Sequence, residues 1–244
     1  MQEAISKLRA ASRVAVLTGA GISAESGIPT FRGEGGLWRN YRAEDLATPE
    51  AFARDPALVW EWYDWRRGLC AQAEPNDGHR VIAEMERHYD DFLLITQNVD
   101  DLHPRAGSTK LVEIHGNIFR ARCTVCLEHF GLSDGPLREV PVLCPACGKL
   151  ARPHIVWFGE TYESGVLNRA TTFLARTDVV LVVGTSGAVT TPVSLALQAI
   201  GRGAYAIEIN PNESQVTRFA HTFLQQNAGV ALPALWQQVR EQRG

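Results

Sequence analysis

Four cysteines in two close pairs carry the clearest chemical signal in this 244-residue sequence. Cys123 and Cys126 form one C-x-x-C pair, and Cys144 and Cys147 form another after the intervening segment 127–143. Each pair can turn two thiolates toward one ion, and this spacing lets the second pair complete a tetrahedral zinc site. Because four thiolates leave no open coordination position, the pattern predicts a structural zinc and not a catalytic one.

The fifth cysteine and the first residues of the chain bear on the compartment. Cys70 stands alone, and we expect it to be a small, buried apolar side chain. An odd cysteine count with C-x-x-C spacing fits a reducing compartment better than a disulfide framework. Segment 1–13 has a helical pattern of mixed charge and lacks the apolar stretch of a secretory signal. Since no apolar run approaches the ~20 residues of a membrane span, we expect a cytoplasmic protein with no membrane partner.

A glycine-rich turn after a strand-like run is the second chemical signal. The apolar run 14–18 leads into Gly19, Ala20 and Gly21, which open a G-x-G-x-x-A pattern. In this context the pattern suits a dinucleotide pyrophosphate at a helix N-terminus, although a tight strand–helix turn without a ligand is the alternative. A Gly-rich stretch, 26–38, stands where a dehydrogenase would have a second strand ending in an acidic residue, which disfavours hydride transfer.

Polar residues follow three further apolar runs at the point where each run ends. They are Gln97, Asn98 and Asp100 after 92–96, Gly184, Thr185 and Ser186 after 179–183, and Asn210, Pro211 and Asn212 after 204–209. Open α/β sheets bind ligands at the carboxyl ends of their strands, so these groups could share one crevice. Each of them could instead cap a helix. Together they suit a large polar ligand such as a dinucleotide.

His115 follows a short strand-like run, 111–114, and precedes Gly116. An unperturbed imidazole pKa of ~6.5 suits a general base near neutral pH. A structural histidine is the alternative. Its place beside the cysteine-bearing segment makes His115 the candidate base of this sequence.

The pattern of strand-like and helical segments around these groups predicts an α/β fold. The strand-like runs have no polar alternation, which is typical of parallel strands covered on both faces. Helical patterns separate the runs, at 78–89, 165–176, 192–202 and 213–220. We therefore predict a Rossmann-like, doubly wound parallel sheet.

Two stretches interrupt the alternation, a tryptophan-rich helical segment at 49–72 and the cysteine-bearing segment at 118–153. We predict that they form a smaller helical and zinc-ribbon module beside the sheet. The predicted boundaries are 1–30, 76–117 and 154–244 for the Rossmann-like domain, and 31–75 and 118–153 for the small domain.

Composition excludes several classes of protein. Hydrophobic residues make up 45% of the chain and charged residues 21%, which excludes a disordered or fibrous protein. Lys and Arg number 24 against 27 Asp and Glu, so the net charge is −3. Because a duplex nucleic-acid binder is normally basic, we expect no nucleic-acid partner. A zinc-ribbon protein that binds nucleic acid is the alternative, and it would need more cations than segment 118–153 offers.

Taken together, these motifs resemble the sirtuin family of NAD-dependent protein-lysine deacylases over nearly the whole chain. Segment 19–33, GAGISAESGIPTFRG, resembles the nucleotide loop of the family, and 97–103, QNVDDLH, resembles its nicotinamide and ribose segment. His115 with Gly116 resembles the catalytic histidine, and the paired cysteines resemble the zinc ribbon. Two places depart from the family pattern: Asp101 stands where glycine is usual, and segment 187–192 is atypical.

The resemblance implies a reaction and its residues. An acyl group would leave a protein lysine at the expense of NAD, giving nicotinamide and O-acyl-ADP-ribose, with His115 as the base that deprotonates a ribose hydroxyl. The implied NAD positions are Gly19, Ala20, Gly21, Thr30, Phe31, Arg32, Gln97, Asn98, Asp100, Gly184, Thr185, Ser186, Asn210, Pro211, Asn212 and Ala228. The implied positions for the acyl-lysine substrate are Val156, Phe158 and Gly159.

Tyr63 and Arg66 bear on which acyl group is removed. On the helix that contains them, Leu58, Trp62, Trp65 and Leu69 are expected to form the core-facing stripe, with Tyr63 and Arg66 at its edge. An arginine fork and a tyrosine hydroxyl suit a carboxylate, although packing and solvation could equally account for them. This pair resembles the sirtuin subclass that removes succinyl, malonyl and glutaryl groups.

Three alternatives for function remain open. A nucleotide-binding sensor would keep the glycine loop but would have no use for His115. A protein ADP-ribosyltransferase would share the first chemical step. In a deacetylase without a preference for acidic acyl groups, Arg66 would have a role other than binding the acyl group.

Overall fold

The structure, a computed structural model, describes residues 1–29, 37–38, 41–187 and 189–241. The described helices are α1 (Gln2–Ala10), α2 (Gly21–Ala24), α3 (Ala43–Leu46), α4 (Pro49–Arg54), α5 (Pro56–Gln72), α6 (Asp77–His88), α7 (Leu102–Arg105), α8 (Ser164–Leu174), α9 (Thr190–Gly201) and α10 (Ala228–Glu241). The described strands are β1 (Arg13–Thr18), β2 (Leu37–Trp38), β3 (Tyr41–Arg42), β4 (Asp91–Thr96), β5 (Leu111–Glu113), β6 (Gly116–Cys123), β7 (His129–Gly131), β8 (Ala151–Ile155), β9 (Val179–Val183), β10 (Tyr205–Ile209) and β11 (Thr222–Leu224).

A six-stranded sheet is the centre of the larger part of the molecule. Its strands follow the order β11-β10-β9-β1-β4-β5, and all of its strand pairs are parallel. The chain enters at β1 in the middle, moves outward through β4 and β5, and then returns to build the other half. This is the Rossmann strand order, and it confirms the predicted fold class. Its topological switch point, where ligands bind, lies between β1 and β9.

Helices cover both faces of this sheet, which explains why its strands show no polar alternation. One face packs against α1, α6 and α10, through residues such as Leu8, Ile82 and Leu232. The other face packs against α8 and α9, through residues such as Leu174 and Leu195. In the described ranges, no helix combines the length and apolar character needed to cross a membrane.

A third core belongs to the remaining elements. It joins α3, α4 and α5 to the antiparallel sheet β7-β6-β8. Trp60 is fully buried and donates from Nε1 to the Ala151 carbonyl at 2.9 Å, which ties α5 to β8. Arg67 is also buried and binds Asp64 at 2.6 Å and the Gly135 carbonyl at 3.2 Å. The domain boundaries given above stay a prediction.

Two of the expected helical segments differ in the structure. The expected helix at 213–220 is wrong, because only Thr217–Phe219 forms a short 3-10 turn. There the Ser214 hydroxyl accepts from the Val216 amide while the Thr217 hydroxyl accepts from the Ser214 amide, and such local bonds compete with a helix. Segment 49–72 divides into α4 and α5 at Asp55, which caps α5 by accepting from the Leu58 amide.

Candidate functional site

The glycine loop packs by its backbone against the turn that follows β9. Gly21 donates its amide to the Gly184 carbonyl at 2.8 Å, and Gly19 donates to the Val183 carbonyl at 3.0 Å. A Cβ atom on Gly21 would lie 2.7 Å from the Gly184 oxygen, so a side chain has no room there. The two loops predicted from separate motifs therefore meet at the switch point of the sheet.

The polar residues after the strands also converge, because the register places the ends of β1, β4, β9 and β10 at one level. Gln97 donates from Nε2 to the Thr185 hydroxyl at 3.2 Å, and Asn210 donates from Nδ2 to the Thr185 carbonyl at 3.1 Å. Ser186 is exposed beside them, and so are Pro211 and Asn212. One crevice thus brings together the groups that the sequence placed at three strand ends.

Asn98 and Asp100 are buried and share a partner, Ser23, which lies in α2 just after the glycine loop. The Ser23 hydroxyl donates to Asp100 at 2.7 Å and accepts from Asn98 Nδ2 at 3.0 Å. Burial raises the pKa of Asp100, although the hydrogen bonds from Ser23 and from the Leu102 amide oppose that rise. These bonds fix both side chains at the end of β4.

His79, at the start of α6, supports Ser23 from behind. Its Nε2 lies 3.4 Å from the Ser23 hydroxyl, and its Nδ1 accepts from the Asn76 amide at 3.3 Å. Since Ser23 gives its own proton to Asp100, the imidazole must donate from Nε2. Burial lowers the pKa of His79 to about 4, so this ring is neutral at pH 7.

His103, in α7, stands next to His79 with the ring centroids 4.7 Å apart. Its Nε2 lies 2.9 Å from the Thr18 hydroxyl, which donates to the Thr96 hydroxyl at 2.8 Å. Burial lowers the pKa of His103 well below its ordinary value, and the nearby His79 adds to the effect. We call this set of buried side chains the sheet-end network: Thr18, Ser23, His79, Thr96, Asn98, Asp100 and His103.

Ser23, His79 and His103 were not among the residues predicted for the site, although Ser23 and His103 lie within the segments 19–33 and 97–103 that resemble cofactor-binding segments. His79 stands where a helix N-terminus was expected, and its capping contact with Asn76 was the available signal. Nothing in the sequence indicated that α6 and α7 meet behind the glycine loop.

His115 lies in the loop between β5 and β6 and is bound at both ring nitrogens. Nδ1 lies 2.9 Å from the Gln97 carbonyl, which can only accept, so this nitrogen carries the proton. Nε2 therefore holds a lone pair, and it lies 3.3 Å from the Tyr162 hydroxyl. Burial lowers the pKa of His115, although the bond to Gln97 opposes the change. The ring is thus a neutral base at pH 7, and its unprotonated nitrogen, Nε2, is the one that contacts Tyr162.

The segment predicted to bind substrate lies next to His115. Val156 donates its amide to the His115 carbonyl at 3.0 Å, and Phe158 donates to the Ala47 carbonyl at 3.0 Å. Phe158 and Gly159 are exposed. Glu160 shapes this turn by accepting from the Trp157 amide and from both terminal nitrogens of Arg152. The segment is therefore rigidly held beside the candidate base.

The predicted face of α5 is wrong in part. Trp62 is buried as predicted, but Trp65 is 39% exposed, and Val59 and Tyr63 are buried beside Trp62. Tyr63 lies in the core and not at its edge, because Trp157 donates from its indole Nε1 to the Tyr63 hydroxyl at 2.9 Å. Burial raises the pKa of Tyr63 to about 12. The helix is therefore oriented with Tyr63 against Trp157, a residue from a distant segment of the chain.

Arg66 is half-buried on the same helix. Its guanidinium lies 5.1 Å from the ring centre of Trp62. Its positive charge lowers the pKa of Tyr63 and of Asp100, against the larger effect of burial. The charge of Arg66 is therefore near enough to act on both groups.

Asp101 has a left-handed backbone, with φ at +66°. Glycine adopts this conformation without strain, which accounts for the residue that the sirtuin pattern usually has there. Aspartate tolerates it better than most side chains, and the Asp101 carboxylate accepts from Asn117 Nδ2 at 2.8 Å. The departure from the pattern is therefore compatible with the same turn.

The four paired cysteines meet at one point. Cys123 and Cys147 place their sulfur atoms 3.5 Å apart, and Cys126 and Cys144 place theirs 3.6 Å apart. Zinc–sulfur bonds of about 2.3 Å in a tetrahedron require sulfurs about 3.8 Å apart, so the group matches a zinc site. The amides of Val125 and Cys126 point at the Cys123 sulfur from 3.3 and 3.4 Å. The four cysteines are positioned to bind a metal ion, consistent with a structural zinc.

Other predicted positions lie apart from these contacts or outside the described part of the chain. Ala228 is buried at the start of α10, where the next amide, that of Gly229, binds Glu25 beside α2. Ala20 caps α2 within the glycine loop. Thr30, Phe31 and Arg32 lie outside the described residues.

The polar groups of this crevice fit NAD. Amides, hydroxyls and a carboxylate line the ends of four parallel strands, and the glycine loop opens α2 beside them. Dinucleotides use this combination, with backbone amides for phosphate and polar side chains for the sugars.

Comparison with known proteins agrees with this geometry. A model of the Sir2 family matches residues 19–191. An NAD-dependent protein deacylase of Leptospira interrogans is 50% identical over 244 residues, covering 98% of each chain. One of Aquifex aeolicus is 49% identical over 231 residues, covering 95% of this chain and 97% of its own.

Solved structures give the same result. A Sir2 homologue in complex with NAD has a TM-score of 0.93 at 45% identity and covers 99% of this chain and 94% of its own. A Sir2 complex with p53 peptide and NAD⁺ has a TM-score of 0.84 at 29% identity and covers 98% of both chains. The chain belongs to the Sir2 family.

Proposed function

We propose that this protein is an NAD-dependent protein-lysine deacylase that releases nicotinamide and O-acyl-ADP-ribose. The observation that carries the proposal is the state of His115, a neutral imidazole with its lone pair at Nε2 beside the crevice. The relatives named as deacylases support the same activity. When bound, NAD supplies the ribose carbon from which nicotinamide leaves.

The residues of this chain would divide the work between cofactor and substrate. Gly19, Ala20, Gly21 and the turn Gly184–Ser186 would hold the phosphates and the adenosine side. Gln97, Asn98 and Asp100 would hold the ribose and nicotinamide side, and Asn210–Asn212 and Ala228 would complete the cofactor site. Thr30, Phe31 and Arg32 keep their proposed cofactor role. Val156, Phe158 and Gly159 would bind the peptide beside the base.

His115 would take a proton at Nε2 from a ribose hydroxyl. The Gln97 carbonyl orients the ring for this and stabilises the charged form once the proton is taken. Tyr162 lies at the position that the ribose hydroxyl would need, so its hydroxyl must yield when NAD and substrate bind.

We further propose a preference for acidic acyl groups: succinyl, malonyl and glutaryl. The Tyr63 hydroxyl accepts from Trp157 and keeps its own proton to donate. Arg66 adds a half-buried positive charge that lowers the pKa of Tyr63. A carboxylate entering between them would gain charge-assisted hydrogen bonds that offset its loss of water. A deacetylase without this preference is the second candidate, since the Arg66 guanidinium also lies over the Trp62 ring and can serve the packing of α5.

Mass spectrometry tests the proposal. The wild-type protein is incubated with a succinyl-lysine peptide and with the matching acetyl-lysine peptide, with and without NAD. We expect deacylated peptide, nicotinamide and acyl-ADP-ribose only when NAD is present, with the succinyl peptide reacting faster. ADP-ribose attached to the protein or the peptide would instead support the transferase alternative.

A cytoplasmic location and the lack of nucleic-acid and membrane partners stay predictions from the sequence.

A further inference from the structure

Three side chains outside the sites described above meet on the antiparallel sheet of the small module. His129 lies in β7 and His154 in β8, on either side of the central strand β6. Glu163 is the residue that directly precedes α8. One ligand atom from each of the three lies within 4.8 Å of the others, and the imidazole centroids are 4.5 Å apart.

We propose that His129, His154 and Glu163 form a second metal site, which takes a divalent transition metal of the zinc class. Two imidazoles and one carboxylate are a ligand set that zinc uses, with bonds of about 2.0–2.2 Å. A tetrahedral ion would need the three ligand atoms about 3.4 Å apart, so atoms now within 4.8 Å of one another would have to move closer together. This site is separate from the cysteine cluster and contains no sulfur.

A cavity beside His154 and Glu163, two of the three residues, supplies room for a fourth ligand. It has a volume of about 30 Å³ and is lined by His154, Glu163, Arg122 and Glu113, among others. A space of about 10–15 Å³ is enough for one water molecule. The metal would therefore hold two histidines, one glutamate and one water, as open zinc sites do.

The charges around the site permit a cation. Arg122 approaches Glu163 at 3.9 Å and Glu160 at 3.6 Å, while Arg120 binds Glu113 at 3.1 Å. The metal would displace Arg122 from its weaker partner, Glu163, and leave it with Glu160.

The position of the site suggests what binding would change. His129 and His154 belong to the antiparallel sheet, whereas Glu163 precedes a helix that packs on the parallel sheet. A bound ion would join these two parts of the molecule. Tyr162, which contacts His115, is the neighbour of Glu163, so the link would reach the edge of the candidate active site.

Zinc titration tests the proposal on the full chain. Protein carrying one zinc at the cysteine cluster is titrated with Zn²⁺ by calorimetry, and the melting temperature is followed in parallel. We expect the wild type to take up a second equivalent and to melt at a higher temperature with it. His129→Ala and Glu163→Gln should each weaken this second binding at least about tenfold, a loss of ~1.4 kcal/mol.

His88→Ala is the matched control, because His88 is exposed on α6 and lies outside the proposed ligand set. It should bind the second equivalent as the wild type does. Glu163→Gln preserves shape, so it still decides the question if a histidine variant folds poorly. Uptake of one equivalent only by the wild type, or second binding unchanged in both His129→Ala and Glu163→Gln, would overturn the proposal.

Discussion

The sheet-end network and the cysteine cluster hold polar groups in opposite ways. The network sits beneath the carboxyl ends of a parallel sheet that is covered on both faces, and its hydrogen bonds join histidines, hydroxyls, one amide and one carboxylate. The cysteine cluster lies in a segment where large apolar side chains such as Val125 and Leu127 are 65% and 69% exposed. The first region is positioned by its core, whereas the second depends on its metal. Each should therefore fail under a different perturbation.

The largest effect should come from losing the metal. Cys147→Ala should lose zinc and lower the melting temperature by about 10 °C or more, since 1 kcal/mol is worth roughly 2–4 °C in a chain of this size. Cys70→Ala is the control, because Cys70 is buried outside the cluster and should leave zinc in place. Metal analysis and thermal melting of both variants measure this. A Cys147→Ala protein of wild-type stability would contradict a structural zinc.

His115→Ala should act on catalysis and leave the fold unchanged. Removing a positioned general base should lower the deacylation rate by roughly 10²–10⁴-fold. NAD binding should persist, since the contacts of the glycine loop do not involve this ring. Steady-state deacylation and NAD titration of the same preparation measure the two effects. Deacylation near the wild-type rate would show that another group is the base.

Arg66→Met should change acyl selectivity. Hydrogen bonds to charged groups are worth about 1.5–3 kcal/mol, so kcat/KM for succinyl-lysine should fall roughly tenfold to a hundredfold. The value for acetyl-lysine should change little, and Tyr63→Phe should shift the ratio in the same direction more weakly. Arg54→Met, at an exposed arginine on α4, is the control. An equal fall on both substrates would mean that Arg66 supports the helix and not the acyl group.

A pH dependence of stability, which leaves activity at pH 7 unchanged, is expected from the sheet-end network. The folded state holds the pKa of His79 at about 4 against an ordinary value of 6.5, so the unfolded chain binds more protons below pH 6.5. The free energy of unfolding should therefore fall as pH drops from 7 toward 4, by up to about 3 kcal/mol from this residue. His103 should add to the loss, and the raised pKa of Asp100 should oppose it at the acid end.

His79→Gln tests this by removing the titration while keeping a donor for Ser23. Denaturant unfolding at several pH values should show a shallower loss of stability in the variant than in the wild type. Parallel pH curves for the two proteins would indicate that His79 takes up no protons on unfolding.

Local sequence patterns were sufficient for features that depend on neighbouring residues. The strands at 14–18, 92–96 and 179–183, the glycine loop and the paired cysteines each carry their signal within a few residues. The predicted strands agree with β1, β4 and β9 to within one residue. Strand ends that share a level then bring the predicted polar groups together without further information.

Features that depend on distant partners could not be predicted this way. Tyr63 is drawn into the core by Trp157, which is 94 residues away, and Trp65 is left exposed as a result. His79 and His103 are isolated in the sequence and become neighbours only when α6 and α7 pack together. The same holds for His129, His154 and Glu163, which three separate elements bring to one place.

The ratio of products tests the central claim most directly. Nicotinamide, O-acyl-ADP-ribose and deacylated peptide are quantified together as the wild-type protein consumes NAD with a succinyl-lysine peptide. A protein-lysine deacylase that uses His115 as its base should form the three in equal amounts, and His115→Ala should form little of the last two. Nicotinamide release without matching deacylation in the wild type would contradict the account and favour hydrolysis of NAD or transfer of ADP-ribose.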